Sequence, residues 1–272
     1  MEEKPNLVSG EDALTDSLEE LLDDPVGEPL DQQPSDTHFY LTCEKNWVYY
    51  TLICIAGFFG AYTYLLKGGV FCNAQTGNII LLGMALGQGE WSLARHYLLP
   101  IFAYLLGTLM SELLPDPVKH NIPIRWDTLL IAIEMAVVLI IGVLPDSAPI
   151  QIAQIAINFI ASMQYNTFRQ AEGTPMATTF ATNHVRQIGI GLANEIRQLH
   201  SEDKSHREKL KKHFLMLVFF LGGVTVGTNF CRLISGRAIL ITLIPFAVLL
   251  GTLVYADVAD NRESLEQKPS GH

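Results

Sequence analysis

The sequence predicts an all-α integral membrane protein made of two related repeats, and three observations carry that prediction. First, six runs reach or approach the roughly 20 residues that a helix needs to cross an apolar core of about 30 Å. They are 47–66, 93–114, 126–144, 148–168, 214–231 and 238–256, and the charges within them are confined to Arg95, His96, Glu112, Asp127 and Glu134. Second, the stretch Val70-Phe71-Cys72-Asn73-Ala74-Gln75-Thr76-Gly77-Asn78 returns in altered form. An offset of 106 sets Thr76-Gly77-Asn78 on Thr182-Asn183-His184, Gly83 on Gly189, Leu86 on Leu192, Ala56 on Ser162 and Tyr62 on Phe168. An offset of 116 then sets Gly107 on Gly223 and Ser111 on Gly227, so ten extra residues fall in a loop of the second copy. Third, the net charge of −10 is local: residues 1–46 hold thirteen Asp/Glu and two Lys, −11 in all, which leaves +1 for the rest.

The predicted order is an acidic, disordered cytoplasmic tail over 1–44, a membrane domain over 45–256 and a polar tail over 257–272. The tail is too poor in apolar residues to pack, although Ser17–Leu22 has the pattern of a short amphipathic helix. It also lacks the apolar core of a cleavable signal, so the first span is expected to serve for targeting. Repeat one covers about 45–144. Its first span carries Ala56, Gly57, Gly60 and Ala61, small residues that let a neighbouring helix approach closely in lipid. After Lys67-Gly68-Gly69 comes a helix of about 76–87, too short to cross and therefore re-entrant or buried. Span three ends at Pro115-Asp116-Pro117, and span four runs from Trp126, a residue suited to the interface.

Repeat two covers about 148–256. Its first span carries a stripe at Gln154, Asn158, Ser162, Tyr165 or Asn166, and Arg169, which lipid would penalise, so it faces protein or water. The second short segment, 178–197, is wetter, with Thr179, Asn183, Arg186, Gln187 and Asn194 on one side. The loop 197–213 follows with six Lys/Arg. Span seven pairs Gly223 with Gly227, and span eight holds Pro245, where a kink is expected. Positive charge near the spans places the 197–213 loop and both termini in the cytoplasm. With the short segments not crossing, the repeats are inverted and four Lys/Arg lie outside; with crossing they are parallel and six do. The sequence thus favours six long transmembrane helices plus two short segments.

Thr76, Asn78, Thr182 and Asn183 stand at or near helix starts, where free amides and the helix dipole favour an anion. The same residues also read as caps and inter-helix glue. Asn158, Asn166, Arg169 and Arg186 complete the candidate substrate-binding set. Glu134, alone in an apolar span, reads either as a proton carrier or partner of Arg186, or as a protonated acid bonded to a neighbouring helix. His184 reads as a hydrogen-bonding residue. No catalytic pair, nucleophile motif or phosphate loop is present, and the four cysteines have no metal-ligand or disulfide spacing. No enzyme activity, metal, cofactor or nucleic-acid partner is expected. The expected partners are the lipid bilayer and a small solute.

The residues Phe71–Asn78 followed by Gly83, Gln164–Arg169 and Ala177–Asn183 resemble the YoaK family of uncharacterised bacterial multi-pass membrane proteins. The resemblance covers about 45–256 and implies a place in the cell membrane, in the bacterial inner membrane, and no particular activity. The second copy departs from the first, with Asn183-His184 where Thr-Gly would stand by analogy. The reading that follows is a small-molecule permease with a central polar cavity, for an anionic or zwitterionic solute. The alternative is a non-transporting membrane scaffold or assembly factor whose acidic tail binds a partner; an intramembrane enzyme carries little weight.

Overall fold

In a computed structural model the chain is described over residues 40–115, 124–145, 147–197 and 204–259. The expectations for residues 1–39 of the acidic tail, the turn at 116–117 and residues 260–272 of the polar tail lie outside the described residues. Residues 40–44, expected to be disordered, instead form an ordered turn with Leu41, Cys43 and Glu44 buried, and 257–259 complete the last helix. The helices are α1 (Asn46–Leu66), α2 (Gln75–Gly87), α3 (Trp91–Leu113), α4 (Trp126–Val143), α5 (Ile150–Thr167), α6 (Thr182–Arg197), α7 (Lys204–Ile234) and α8 (Leu243–Ala259). Short 3-10 turns precede α1 (Thr42–Glu44) and α8 (Ser235–Thr242).

Four helical stretches are long and apolar enough to cross a membrane: Asn46–Leu66, Trp91–Leu113, Trp126–Val143 and the continuous stretch His206–Ala259 that holds α7 and α8. The chain therefore reads as a membrane protein. Helix α5 stands apart because its polar stripe lowers its hydropathy. Of the predicted stripe Gln154, Asn158 and Ser162 are buried and face protein, while Asn166 and Arg169 at its far end are half-buried and Tyr165 is exposed.

Contacts at the helix ends fix the direction of each helix. At one end, the Lys67 end, the Gln154 amide donates to Lys67 O at 2.5 Å and His96 Nε2 donates to Gly68 O at 2.9 Å. The finish of α1 and the starts of α3 and α5 thus meet, and Leu240 beside Gly142 adds the finish of α4. At the other, the Arg125 end, Arg125 N–H donates to Asp257 at 3.2 Å and Trp126 Nε1 to Thr167 at 3.0 Å. Helices α1, α4 and α7 run toward the Lys67 end, and α3, α5 and α8 run back. Helix α2 lies between two helix ends on the same side of the bundle, as does α6.

The tightest packing is between α1 and α7 and between α3 and α5. Both interfaces turn on glycine. A Cβ on Gly223 would lie 1.9 Å from the Cys54 carbonyl, and one on Gly107 would lie 2.0 Å from Ser162 Oγ. Gly57 and Gly227 similarly meet the backbone of the facing helix. Without side chains at these points the helices approach to backbone contact, which is the source of packing energy where lipid removes the hydrophobic drive. The pairing also explains the core, where Leu52, Ile55, Phe59, Ile157 and Ile160 bury completely or nearly so around the shared axis.

Three local features differ from expectation. Pro245 is the third residue of α8 and sits in its first turn, where a missing N–H is one of the helix's unpaired donors anyway; the proline inside a helix is Pro100 in α3. The basic loop is helical from Lys204 on, so α7 reaches 31 residues. Between α5 and α6 lies a two-strand hairpin, β1 (Gln170–Ala171) against β2 (Thr174–Pro175), turned by Glu172 at φ 43° and Gly173 at φ 73°. Two positive φ values match the twist that a two-residue hairpin requires. The Glu172 carboxylate then accepts from Asn46, whose N–H is among the unpaired donors of α1 (3.3 Å), and pairs with Lys212 of α7 at 3.5 Å.

Replacing Gly223 by Val should break the α1–α7 contact, while Gly222→Val, where a Cβ meets nothing within 4 Å, should not. Size-exclusion recovery of folded protein checks this: the first variant is expected to fall severalfold and the second to match the parent.

Candidate functional site

The two connections that lead into α2 and α6 are where non-helical backbone enters the bundle. Inside an apolar medium every N–H and C=O must find a partner, and the side chains that provide partners define the site. In the first connection Asn73 Nδ2 donates to Ala56 O at 3.1 Å. Ala56 lies ten residues before the end of α1, so the tip is about 15 Å deep at 1.5 Å per residue. Asn78 closes the turn behind it. Its Oδ1 accepts from Phe71 N–H at 2.9 Å, and its Nδ2 donates to Phe71 O at 2.6 Å and to Gln75 Oε1 at 3.0 Å. Gln75 Nε2 passes the network to Asn158 Oδ1 at 2.8 Å, and Asn158 Nδ2 donates to Gln154 O at 2.8 Å. A line of amides therefore ties α2 to the middle of α5.

The second connection has the same closure made from different atoms. His184 Nε2 donates to Ala177 O at 2.8 Å, seven residues back, as Asn78 does to Phe71. With its proton on Nε2, neutral His184 accepts at Nδ1, so His213 of α7 donates its Nδ1–H across 2.9 Å. Both imidazoles are buried. Upstream, Gln164 Nε2 donates to Thr178 O at 3.4 Å and Phe180 packs on Tyr165. The hydroxyls of Thr178 and Thr179 are both buried; that of Thr178 has no hydrogen-bond partner, and that of Thr179 meets the Tyr104 hydroxyl of α3. The two tips converge on α3, because the Tyr104 hydroxyl lies near Cys72 of the first and Thr179 of the second.

The predicted residues separate into three groups. Asn78 and Asn158 are fully buried and saturated by protein partners. Asn166 and Arg169 cluster at the Arg125 end: Asn166 donates to Ser111 at 2.7 Å and to Glu112 at 2.8 Å, and Arg169 pairs with Glu112 and Asn166. Thr76, Thr182 and Arg186 are exposed and Asn183 is half-buried, on the flanks of α2 and α6 away from α3 and α7. Glu134 is fully buried on α4, and neither of its oxygens has a hydrogen-bond partner. The structure does not bring it to Arg186.

Sequence reasoning missed Tyr104 and His213 and undervalued Gln75, Thr178 and Thr179. The shared spacing of seven between Phe71 and Asn78 and between Ala177 and His184 could have found the closures. Tyr104 carries no sequence signal, since only packing brings it to both tips. A separate pocket of about 310 Å³, its open mouth included, lies at the Lys67 end against Tyr62, Lys67, Ile141, Pro149 and Gly236.

Residues 48–254, from the first turn of α1 to the last turns of α8, match the family described as protein of unknown function (DUF1275). The chain belongs to the DUF1275 family. That membership is consistent with the resemblance to YoaK and covers both closures, both glycine interfaces and Glu134. No curated protein matches the chain, and no solved structure does.

Asn78→Ala should strand the Phe71 N–H and C=O in the interior and cost about 2–4 kcal/mol, given about 1–3 kcal/mol for each buried group left unpaired. The exposed neighbour change Thr76→Ala should stay within about 0.5 kcal/mol. Thermal unfolding of the two purified variants beside the parent measures the difference.

Proposed function

We propose that this DUF1275 chain is a small-molecule permease of six crossings, arranged as two inverted repeats, whose solute site lies where the two tips meet beside Tyr104. The observation that carries the reading is the buried, unpartnered hydroxyl of Thr178 beside the Thr179 and Tyr104 hydroxyls at that meeting point. Buried polar groups are nearly always bonded. An orphan hydroxyl just ahead of a helix N-terminus, next to a threonine–tyrosine hydroxyl pair, has the makings of a site that a polar ligand completes. Broken helices that start inside a bundle serve transporters in this way. Donor hydroxyls and the α6 amides favour an acceptor-rich solute, a carboxylate or a zwitterion.

Repeat and orientation draw support from the contacts. The interface of α1 with α7 answers that of α3 with α5, each placing the second long helix of one repeat on the first of the other. The closures at Asn78 and His184 differ by the offset of 106. Helix α1 runs opposite to α5, as inversion demands. Lys67, Arg95, Arg232 and Arg237 lie toward the Lys67 end, and the more numerous basic residues of 197–213, with Lys45, Arg125 and Arg169, lie toward the other. Positive charge then marks the Arg125 end as cytoplasmic. No catalytic role is assigned to any residue of the site.

The second reading, a membrane scaffold, is favoured by one observation: Asn73, Asn78, Asn158 and Gln164 all find hydrogen-bond partners within the protein. Cysteine accessibility separates the two. Burial pushes the Cys43 thiol well up, and Cys72 and Cys231 are buried too, so a Cys54→Ala background, which removes the half-buried thiol, limits background labelling. Thr179→Cys should react with a small membrane-permeant thiol reagent, and a solute that raises the melting temperature in a metabolite screen should protect it. A cysteine that stays unreactive from either side would leave the scaffold reading. Reporter fusions after Asp116, His200 and Asp257 should all read cytoplasmic and one at Gly89 should read external; any other pattern rejects the six-crossing arrangement.

A further inference from the structure

Glu134 is used by none of the interactions described so far, and its surroundings are specific. It sits midway along α4, whose inner face is otherwise Leu130, Ile131, Val138 and Ile141, all buried. Helix α4 packs on α5, on the 3-10 turn before α8 and on α8 itself. Those elements carry Tyr165, Arg237, Tyr255 and Asp257 as titratable or charged groups, and α4 adds Asp127. None of them pairs with Glu134: Asp257 is engaged with Arg125, Arg237 is exposed, and the Glu134 oxygens have no partner. An ionised carboxylate without a donor or a cation in such a place is strongly disfavoured, so this conformation holds the acid form. A neutral carboxyl with no partner is itself costly, and a leucine would fill the space at less cost.

We propose that Glu134 is a proton-binding site whose loading stabilises the closed bundle described here. The proton is the ligand. The closed bundle binds it tightly because no alternative stabiliser of the charge exists there. A conformation in which α4 parts from α5 or α8 admits water, lets the carboxylate form, and binds the proton less tightly. Differential affinity of that kind shifts the balance between the two states, and the shift is reciprocal: acid favours the closed form, and opening releases the proton. Coupling of this step to a solute rests on the permease reading; proton binding itself does not. A dry, permanently protonated glutamic acid would be the structural alternative.

N,N′-Dicyclohexylcarbodiimide distinguishes them, since it partitions into apolar protein and reacts only with the protonated carboxyl. The acid adds across one C=N bond, its proton going to nitrogen and its oxygen to the central carbon, and acyl migration from oxygen to nitrogen leaves a stable N-acylurea. The full chain in lipid vesicles, labelled over a series of pH values and mapped by peptide mass spectrometry, should carry the adduct at Glu134. Labelling should fall by about tenfold for each pH unit above a midpoint, the mass-action slope of a single proton. The melting temperature adds a second readout. Because the folded state retains a proton that the unfolded chain has lost, the parent should lose stability relative to Glu134→Gln as pH rises through the ordinary carboxyl range. No adduct at any pH would show a sealed residue and overturn the proposal, as would labelling that does not change with pH. An adduct that maps to another carboxyl overturns it as well. The mapping is done on the parent chain, so it stands even where Glu134→Gln fails to fold. It needs no solute, so a failed solute screen and a failed proton site remain separate results.

Discussion

The fold depends on one constraint, the need to pair every backbone group of two non-helical tips that enter an apolar bundle. Helices meet that need internally and a lone turn does not. Here side chains take over. Asn78 returns to both the N–H and the C=O of Phe71, Asn73 caps the carbonyl of Ala56, and Gln164 covers that of Thr178. Once those bonds are made, α2 and α6 can start inside the bundle and leave by the side on which they arrived. The amide line from Gln75 through Asn158 to Gln154 follows from the same demand, as does the burial of the polar stripe on α5. The meeting of the tips at Tyr104 is what the closures make available.

The long helices were legible because the signal is one of length and absence: runs of apolar residues bounded by Gly, Pro and charge. The glycines at 57, 107, 223 and 227 were legible as small-residue pairs, but their partners were not. Nothing in the local pattern says that Gly223 rests on Cys54, more than 160 residues away. The short helices were seen, and so was the offset between them. What stayed hidden was the division of labour among their polar residues. Thr76 and Thr182 read as ligands because they stand at helix starts, yet both are exposed, and the bonds that matter come from Asn78 and His184 two residues on. The direction of a side chain around a helix start depends on how the preceding turn enters, and that is a tertiary matter. Glu134 was singled out correctly as a buried acid in an apolar span, while its lack of any partner could be known only from packing.

The two closures also show how one geometry tolerates two chemistries. An amide offers a donor and an acceptor at once, so Asn78 satisfies both groups of Phe71 alone. An imidazole has one donor when neutral, so His184 reaches only the carbonyl of Ala177 and must spend its second nitrogen on His213. The first tip is thereby tied to α5 through Gln75, and the second to α7 through a histidine. This places a group sensitive to acid at one tip and none at the other.

The exchange of partners between the two halves of the chain has a consequence for biosynthesis. Gly57 on α1 waits for Phe220 and Val224 on α7, and α3 likewise waits for α5. At about 5–20 residues per second, some ten seconds or more separate the emergence of α1 from that of its partner. During that interval the notch around Gly57 has no helix to fill it and must be occupied by lipid or by a helper protein. Neither half completes its own packing: α1 rests on α7 and α3 on α5, so the closest helix pairs of the finished molecule each join one half of the chain to the other.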